Sequence, residues 1–302
     1  MGESNSDRPL RGILMILGAV FCFTMSDAMA KWLGQTMPVM QINWIRYLVF
    51  VPFAWVLVVR TSGGRVRVKQ PKLQVVRGLL LAVSAVLFVL AIQTMPLAEA
   101  TSVGFISPLL ITALSVLVLG EVVRASRWAA IVVGLLGVLV IVRPGTEAFQ
   151  PAALLVLGSS SFWAVAVVLT RRMAGHDPTA TTLLWSAVVG LAAMTVLLPF
   201  GWAWVGIGDW VLALALGLVA SAGQYLMVQA YRFAPASLLA PFSYSSLLWS
   251  MVLGWALFGA LPDVWTLAGA VVIVAAGLVA ARPERSKQVN KQGSAGKGPV
   301  AL

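Results

Sequence analysis

Long apolar stretches separated by short polar gaps recur along the whole chain. They cover roughly 11–33, 39–59, 73–94, 97–119, 126–143, 152–171, 181–201, 209–233, 237–258 and 264–281. Within them hydrophobicity is continuous rather than alternating, which excludes a transmembrane β-barrel. About 20 helical residues cross the hydrocarbon of a bilayer, so each stretch reads as a membrane-crossing helix. The expected fold is all-α and integral to the membrane, with ten transmembrane helices. The first stretch is too long, and lacks the small-residue cleavage site, to be a removable signal peptide.

Composition agrees. The chain is 60% hydrophobic and 10% charged, against about 25% charged in soluble domains. A net charge of +11 would suit nucleic acid, but its placement argues for no nucleic-acid partner. With ten crossings, every Lys and Arg except Lys31, Arg46 and Arg143 falls at one side. That is the positive-inside pattern, and it puts both termini in the cytoplasm. The opposite connections carry Glu99, Glu147, Asp209 and Asp263. Residues 1–10 form a short cytoplasmic tail and 60–72 a basic loop. The Lys-, Gly-, Ser- and Gln-rich stretch 282–302 is expected to be a disordered cytoplasmic tail. No loop can hold a soluble domain, so function belongs to the bundle or its mouths. The lone Cys22 cannot form an intrachain disulfide.

The stretches divide into two halves, 11–143 and 152–281, that echo each other. Gly18 pairs with Gly158, Phe23 with Trp163, Lys31 with Arg171 and Pro38 with Pro178, all at a spacing of 140. Gly78 pairs with Gly217, Ala91 with Ala230, Pro96 with Pro235 and Gly120 with Gly259, all at 139. Each half holds five spans, an odd number, so the second copy enters the membrane the opposite way. The expectation is two inverted five-helix repeats, an arrangement that lets transporters build two gates around one central site. Charge supports it: Gln93 is outside and its mate Arg232 inside, while Glu121 is inside and its mate Ala260 outside.

From Ala91 through Pro96, Ser107-Pro108-Leu109 and Leu119-Gly120-Glu121, with Trp265, Gly269 and Gly277 in the last helix, the chain resembles the drug/metabolite transporter superfamily. Within it the likeness is to ten-span EamA-type exporters, and most to bacterial aromatic amino-acid exporters. The resemblance covers nearly all of 11–281. It implies an exporter of amino acids and related metabolites in the bacterial inner membrane, with a cavity between the repeats that closes alternately on either side. Small multidrug members of the superfamily couple protons through a glutamate in the first helix. This chain has none there; Asp27 is its intramembrane acid, which argues against that mechanism.

Polar groups inside a membrane are costly and face partners or water. Asp27 and Lys31, four apart, share a helix face. They read either as an ion pair near the outer surface, Lys31 snorkelling to headgroups, or with Asp27 as the coupling or substrate-amine group. Asn43, Arg46 and Tyr47 make a polar face on the second span. Arg46 suits a substrate carboxylate, or pairs with Asp27. Trp163 follows the small run Gly158-Ser159-Ser160-Ser161 and can stack on cargo or pack a core. Further substrate candidates are Thr101 and Ser107 on the fourth span, Gln224, Tyr225 and Gln229 on the eighth, and Ser243, Tyr244, Ser245 and Trp249 on the ninth. Pro108 and Pro241 are expected mid-helix, as kinks or gating points. Trp32, Trp128, Trp202, Trp204, Trp210 and Trp265 lie near helix ends and read as interfacial anchors.

No nucleophile–base pair, P-loop or metal-ligand cluster occurs in the sequence, so no catalytic residue, metal or cofactor is expected. The expected protein is not an enzyme. It is a secondary transporter exporting small amphipathic metabolites by alternating access, a monomer or weak oligomer whose partners are its substrate and membrane lipid. The alternative is an integral-membrane enzyme or lipid-handling protein acting on an amphipathic substrate.

Overall fold

A computed structural model describes residues 7–119, 125–146, 150–173 and 176–281. Residues 1–6, 120–124, 147–149, 174–175 and 282–302 lie outside the described residues, so most of the N-terminal tail, Gly120, Glu121, Glu147 and the C-terminal tail are not placed. Among the described residues the chain forms helices α1 (Asp7–Leu33), α2 (Val39–Ser62), α3 (Pro71–Thr94), α4 (Leu97–Gly104), α5 (Ser107–Leu119), α6 (Ala125–Val142), α7 (Ala152–Met173), α8 (Thr179–Leu197), α9 (Ile207–Phe233), α10 (Ala236–Ser243), α11 (Ser245–Phe258) and α12 (Val264–Ala281), plus a 3₁₀ turn at Leu198–Phe200. In lipid no water satisfies the backbone, so apolar chain of this kind is stable as helix. Among the described residues seven segments are long and apolar enough to cross a membrane, counting Leu97–Val118 as one. Shorter apolar helices cover Trp128–Val142 and Val264–Val279.

Proline sets the helix starts. Pro38, Pro96, Pro178 and Pro235 each occupy the N-cap position, of α2, α4, α8 and α10. A proline lacks only an N–H that would have no intrahelical partner there. These four are the mates at 140 and 139 noted in the sequence.

The packing is reciprocal between the halves. Helix α1 lies along α9 and α7 along α3, while α2 pairs with α8 and α6 with α12. A Cβ added to Gly18 would stand 3.3 Å from a methyl of Leu226, and one added to Gly158 would stand 3.3 Å from a methyl of Leu87. Gly78 meets Val189 and Gly217 meets Val49, each 2.7 Å from the valine Cβ. Leu87 and Leu226, and Val49 and Val189, are themselves 139 and 140 apart. Absence of a side chain at these glycines is what lets the helices approach.

Two spans are discontinuous. α4 gives way to α5 at Phe105 and Ile106, and α10 to α11 at Tyr244. Phe105 and Tyr244 are 139 apart, and their rings touch with centroids 4.8 Å apart. Both expected kinks are therefore breaks, but the prolines are not equivalent. Pro108 is not mid-helix: it stands at the second residue of α5, where its missing N–H costs little. Pro241 lies inside α10. The feature common to the two breaks is the aromatic pair.

The outer surface of the bundle is apolar. Leu117 is 78% exposed and Phe200 is 87% exposed, which a water-facing surface would not tolerate over so large an area. Trp202 packs edge-on against Trp204 and tilts against Trp210, centroids 5.8 and 5.9 Å apart. Gln41 is fully buried and holds the adjoining loop, its amide donating to the Ala203 carbonyl (3.2 Å) and its carbonyl accepting from the Ala203 N–H (3.0 Å).

Candidate functional site

A cavity of about 520 Å³ lies between the halves, within the usual size range of small-molecule pockets. Helix α1 contributes Phe23, Ser26 and Asp27; α2, Arg46, Tyr47 and Phe50; α3, Arg77, Leu81, Ser84, Ala85 and Phe88. Facing them are Ser159, Ser160, Trp163, Ala166, Val167 and Thr170 of α7, Leu183 and Ser186 of α8, and Ala220, Gln224 and Met227 of α9. Gly104 and Ser107 reach it from the break between α4 and α5. Many wall positions are repeat mates: Phe23 with Trp163, Asp27 with Val167, Arg46 with Ser186, Ala85 with Gln224, Phe88 with Met227.

The wall is charged on one side only. Asp27, Arg46 and Arg77 all come from the first half; at the mated positions 167 and 186 stand a valine and a serine. Arg46 Nη2 donates to Asp27 Oδ1 (3.2 Å) and to Ser26 Oγ (3.1 Å), and the Ser26 hydroxyl donates onward to the Leu216 carbonyl (3.4 Å). Of the two expected roles of Arg46, the pairing with Asp27 is the one formed, with the guanidinium still on the wall. The Asp27–Lys31 pair does not form. Lys31 turns inward and its Nζ donates to the carbonyls of Ile92 and, at 3.0 Å, Met95. Carbonyls at the end of α3 lack intrahelical partners, and a cation is the natural occupant there.

Arg77 was assigned by charge alone to the cytoplasmic rim; the structure puts it on the cavity wall. Its Nε donates to Thr170 Oγ1 (2.6 Å), and Nη1 to Ser186 Oγ and to the Thr182 carbonyl (3.4 Å). It lies six residues into α3, about 9 Å along the helix. The overlooked signal is spacing: Arg77, Leu81, Ser84 and Phe88 recur at helical intervals on one face. Ser84, also unselected by sequence, and Ser159 of the small run clasp α3 to α7, each hydroxyl donating to the other's carbonyl at 2.9 and 2.8 Å.

Of the expected substrate residues, Arg46, Tyr47, Ser107, Trp163 and Gln224 line this cavity, together with Asp27. The others lie elsewhere, for identifiable reasons. Asn43 is fully buried against its own helix, its amide donating to the Val39 carbonyl at 3.0 Å. Thr101 bonds back to Leu97 (2.8 Å). Tyr225 lies beside Gln224 in sequence but about 100° round α9, in an apolar side groove against Phe53, centroids 6.5 Å apart. Gln229 accepts from Arg232 at 3.3 Å near the exposed end of the helix. Tyr244 packs on Phe105 and fills the space above Gly277. Trp249 stands edge-on to Phe21, centroids 4.9 Å apart. Ser243 and Ser245 flank the α10–α11 break without reaching the cavity.

The chain is similar along most of its length to known membrane transporters. It is 27% identical over 293 residues to an S-adenosylmethionine uptake transporter of Rickettsia prowazekii, covering 94% of this chain and 97% of that one. It is 29% identical over 280 residues to a pseudopaline exporter of Pseudomonas aeruginosa, covering 91% and 97%. A riboflavin transporter of Vibrio cholerae is 27% identical over 274 residues, covering 88% and 91%. One experimentally solved chain superposes with a TM-score of 0.59 at 22% identity, over 89% of this chain and 96% of its own, a likeness of fold. The model of the EamA-like transporter family matches twice, over residues 10–143 and again over 150–282. The two matches flank the cavity, and the protein is a multi-pass membrane chain that belongs to the EamA-like transporter family, a family of transporters and not of enzymes.

Proposed function

We propose that this protein is a secondary transporter that moves small amphipathic metabolites across the bacterial inner membrane by alternating access. Its ten crossings form two inverted five-helix repeats, with both termini and the 60–72 loop in the cytoplasm. The observation that carries the reading is the cavity's setting. Mated positions of both family-model copies wall it, and the two copies pack reciprocally, yet its two ends are not alike. Helix α4 packs on α11 and α12 at the end that holds Lys31. The mated contacts, α10 on α5 and α6, are sparse or absent at the other end among the described residues. A cavity packed more closely at one end than at the other is what one state of a two-gate transporter requires. On this topology it is the inward-facing state.

The cargoes of the relatives are chemically diverse, so within small metabolites the class is drawn from the cavity. Aromatic rings of Phe23, Phe50, Phe88 and Trp163 supply an apolar wall; Ser107, Gln224 and the paired Asp27–Arg46 supply polar contacts. This suits an amino acid or derivative, aromatic ones included, and export is the proposed direction. Counterflow in proteoliposomes, scanned over labelled amino acids and nucleobases, tests it: accelerated exchange of a labelled compound is expected, and no exchange of any would refute it. Topology is tested separately with Gln93→Cys and Arg232→Cys in a Cys22→Ser background. Impermeant labelling from opposite faces is expected; labelling from one face would end the inverted arrangement.

A further inference from the structure

We infer that Arg77 makes this cavity a site for a carboxylate-bearing cargo, and that Arg77 rather than Arg46 is the group that receives the carboxylate. The inference rests on the transport reading above and narrows its substrate class.

The charged wall residues are two guanidiniums and one carboxylate. Asp27 is spent on Arg46, at 3.2 Å. Arg77 has neutral partners only: two hydroxyls and a carbonyl. The cavity therefore holds one unit of positive charge that no acidic side chain among the described residues balances. A desolvated charge is expensive unless paired, and here the unpaired charge faces the space the cargo would fill.

The three partners hold Nε and Nη1 and set the plane of the guanidinium. Nη2 makes no hydrogen bond among the described residues, nor is it sealed within the protein. The Nη2 donors are thus left unengaged on a guanidinium whose plane is already set, and they can receive a carboxylate oxygen. The partners Thr170, Thr182 and Ser186 belong to the second half, while Arg77 belongs to the first. The anion site thus spans the two halves, where cargo must act to bias their relative position. The apolar walls at Phe88 and Trp163 lie further along the cavity, so an aryl or other apolar body fits the space beyond the carboxylate.

The test reads the charge directly and needs no knowledge of the natural cargo. Leu81 stands on the wall one helical turn from Arg77. In full-length Cys22→Ser/Leu81→Cys protein, reconstituted in liposomes, rates of modification by anionic MTSES and cationic MTSET are compared, each normalised to 2-mercaptoethanol. The anionic reagent should be favoured, and Arg77→Gln should lower that preference about tenfold, the lower end of electrostatic steering in a lined cleft. Arg77→Lys should keep it. A preference indifferent to Arg77→Gln, or one for the cation, overturns the inference.

The second readout is protection from neutral methyl methanethiosulfonate by phenylacetate against its uncharged isostere phenylacetamide. Phenylacetate alone should protect. Equal protection by both, or by neither, overturns the carboxylate class. Because this arm uses the Arg77 protein, it stands even if Arg77→Gln fails to fold. Counterflow of a labelled compound with no charge preference at position 81 would sink this inference and leave the transport reading. Charge preference without counterflow of any compound would do the reverse.

Discussion

The two ends of the bundle are built from mated positions, yet those positions do different things. At one end Lys31 reaches across to the carbonyls of Ile92 and Met95, and its ammonium lies 5.4 Å from the centre of the Phe258 ring. Trp32 packs on the same ring, centroids 6.2 Å apart. Gln93 donates to the Ala30 carbonyl at 3.2 Å, and Arg143 pairs with Asp263 at 2.7 Å. These contacts tie α1 to α3 and α6 to α12. At the other end the mate of Lys31, Arg171, donates to Ser115 on α5 (3.2 Å), not to the carbonyls at the end of α9. Among the described residues the mate of Gln93, Arg232, bonds only within its own helix. What joins elements there is Asp177, which accepts from the Lys69 N–H (2.7 Å) and the Gln74 amide (2.8 Å) and ties one loop to a neighbouring helix start. The same framework closes one mouth with helix-to-helix latches and leaves the mated latch at the other mouth undone. Under the proposed alternating access, gating would need only an exchange of which member of each pair is engaged.

The largest effect should come from Lys31→Met. Hydrogen bonds from a charged group contribute about 1.5–3 kcal/mol, so removing this latch should shift the balance of the two states roughly tenfold or more. Modification of Leu81→Cys from the Lys31 side should rise by about that factor. Unchanged access would show that the two ends do not differ as gates. Next come the symmetric contacts. Gly78→Ala and Gly217→Ala each force a methyl against a valine Cβ at 2.7 Å, and overpacking of this kind costs about 1–3 kcal/mol. Their thermal midpoints in detergent should fall together. A large drop in one and none in the other would break the reciprocity of the framework.

Trp163→Ala should be smaller still. The residue is 48% exposed, so little packing is lost and the protein should elute as wild type. Loss of a stacking surface of about 0.5–1.5 kcal/mol should reduce counterflow roughly threefold to tenfold; unaltered flux would remove Trp163 from the cargo path. The smallest effect concerns Asp177. Partial burial pushes its carboxyl up, but hydrogen bonds from Lys69, Gln74 and Gln70 outweigh this and hold it below the usual carboxylate range. A carboxyl depressed in the folded state contributes stability above its unfolded pKa of about 3.9, lost as pH falls through the lower folded value. Wild type should therefore lose a little stability below about pH 4 that Asp177→Asn lacks from the start. A wild type and variant with identical acid profiles would discount the tie.

How far the site could be read from sequence depended on the kind of residue. Helical apolar stretches, the proline starts and the paired glycines were legible, because length, backbone chemistry and close approach leave direct marks in composition. Arg46 and Asp27 were legible as isolated charges in apolar surroundings. Arg77 was not: near a helix start, a basic residue looks the same whether it points to headgroups or folds into a cavity. The polar run 243–249 misled in the opposite sense. Ser243 and Ser245 flank a break in the helix, and none of residues 243–249 lines the cavity. Tyr225 and Gln224 are adjacent in sequence, yet one faces the cavity and the other a side groove, since neighbouring helical residues point about 100° apart.

By itself the sequence determined that this chain is a duplicated bundle of apolar helices with few charges inside it, since the cost of polar groups in lipid leaves few other options. Tertiary structure alone decided which charges meet. Asp27 neutralises Arg46, Lys31 seals α1 to α3, and Arg77 is left facing the cavity without an acid. Those outcomes turn on a few ångströms of approach between helices far apart in the chain, a distance that no local pattern of residues encodes.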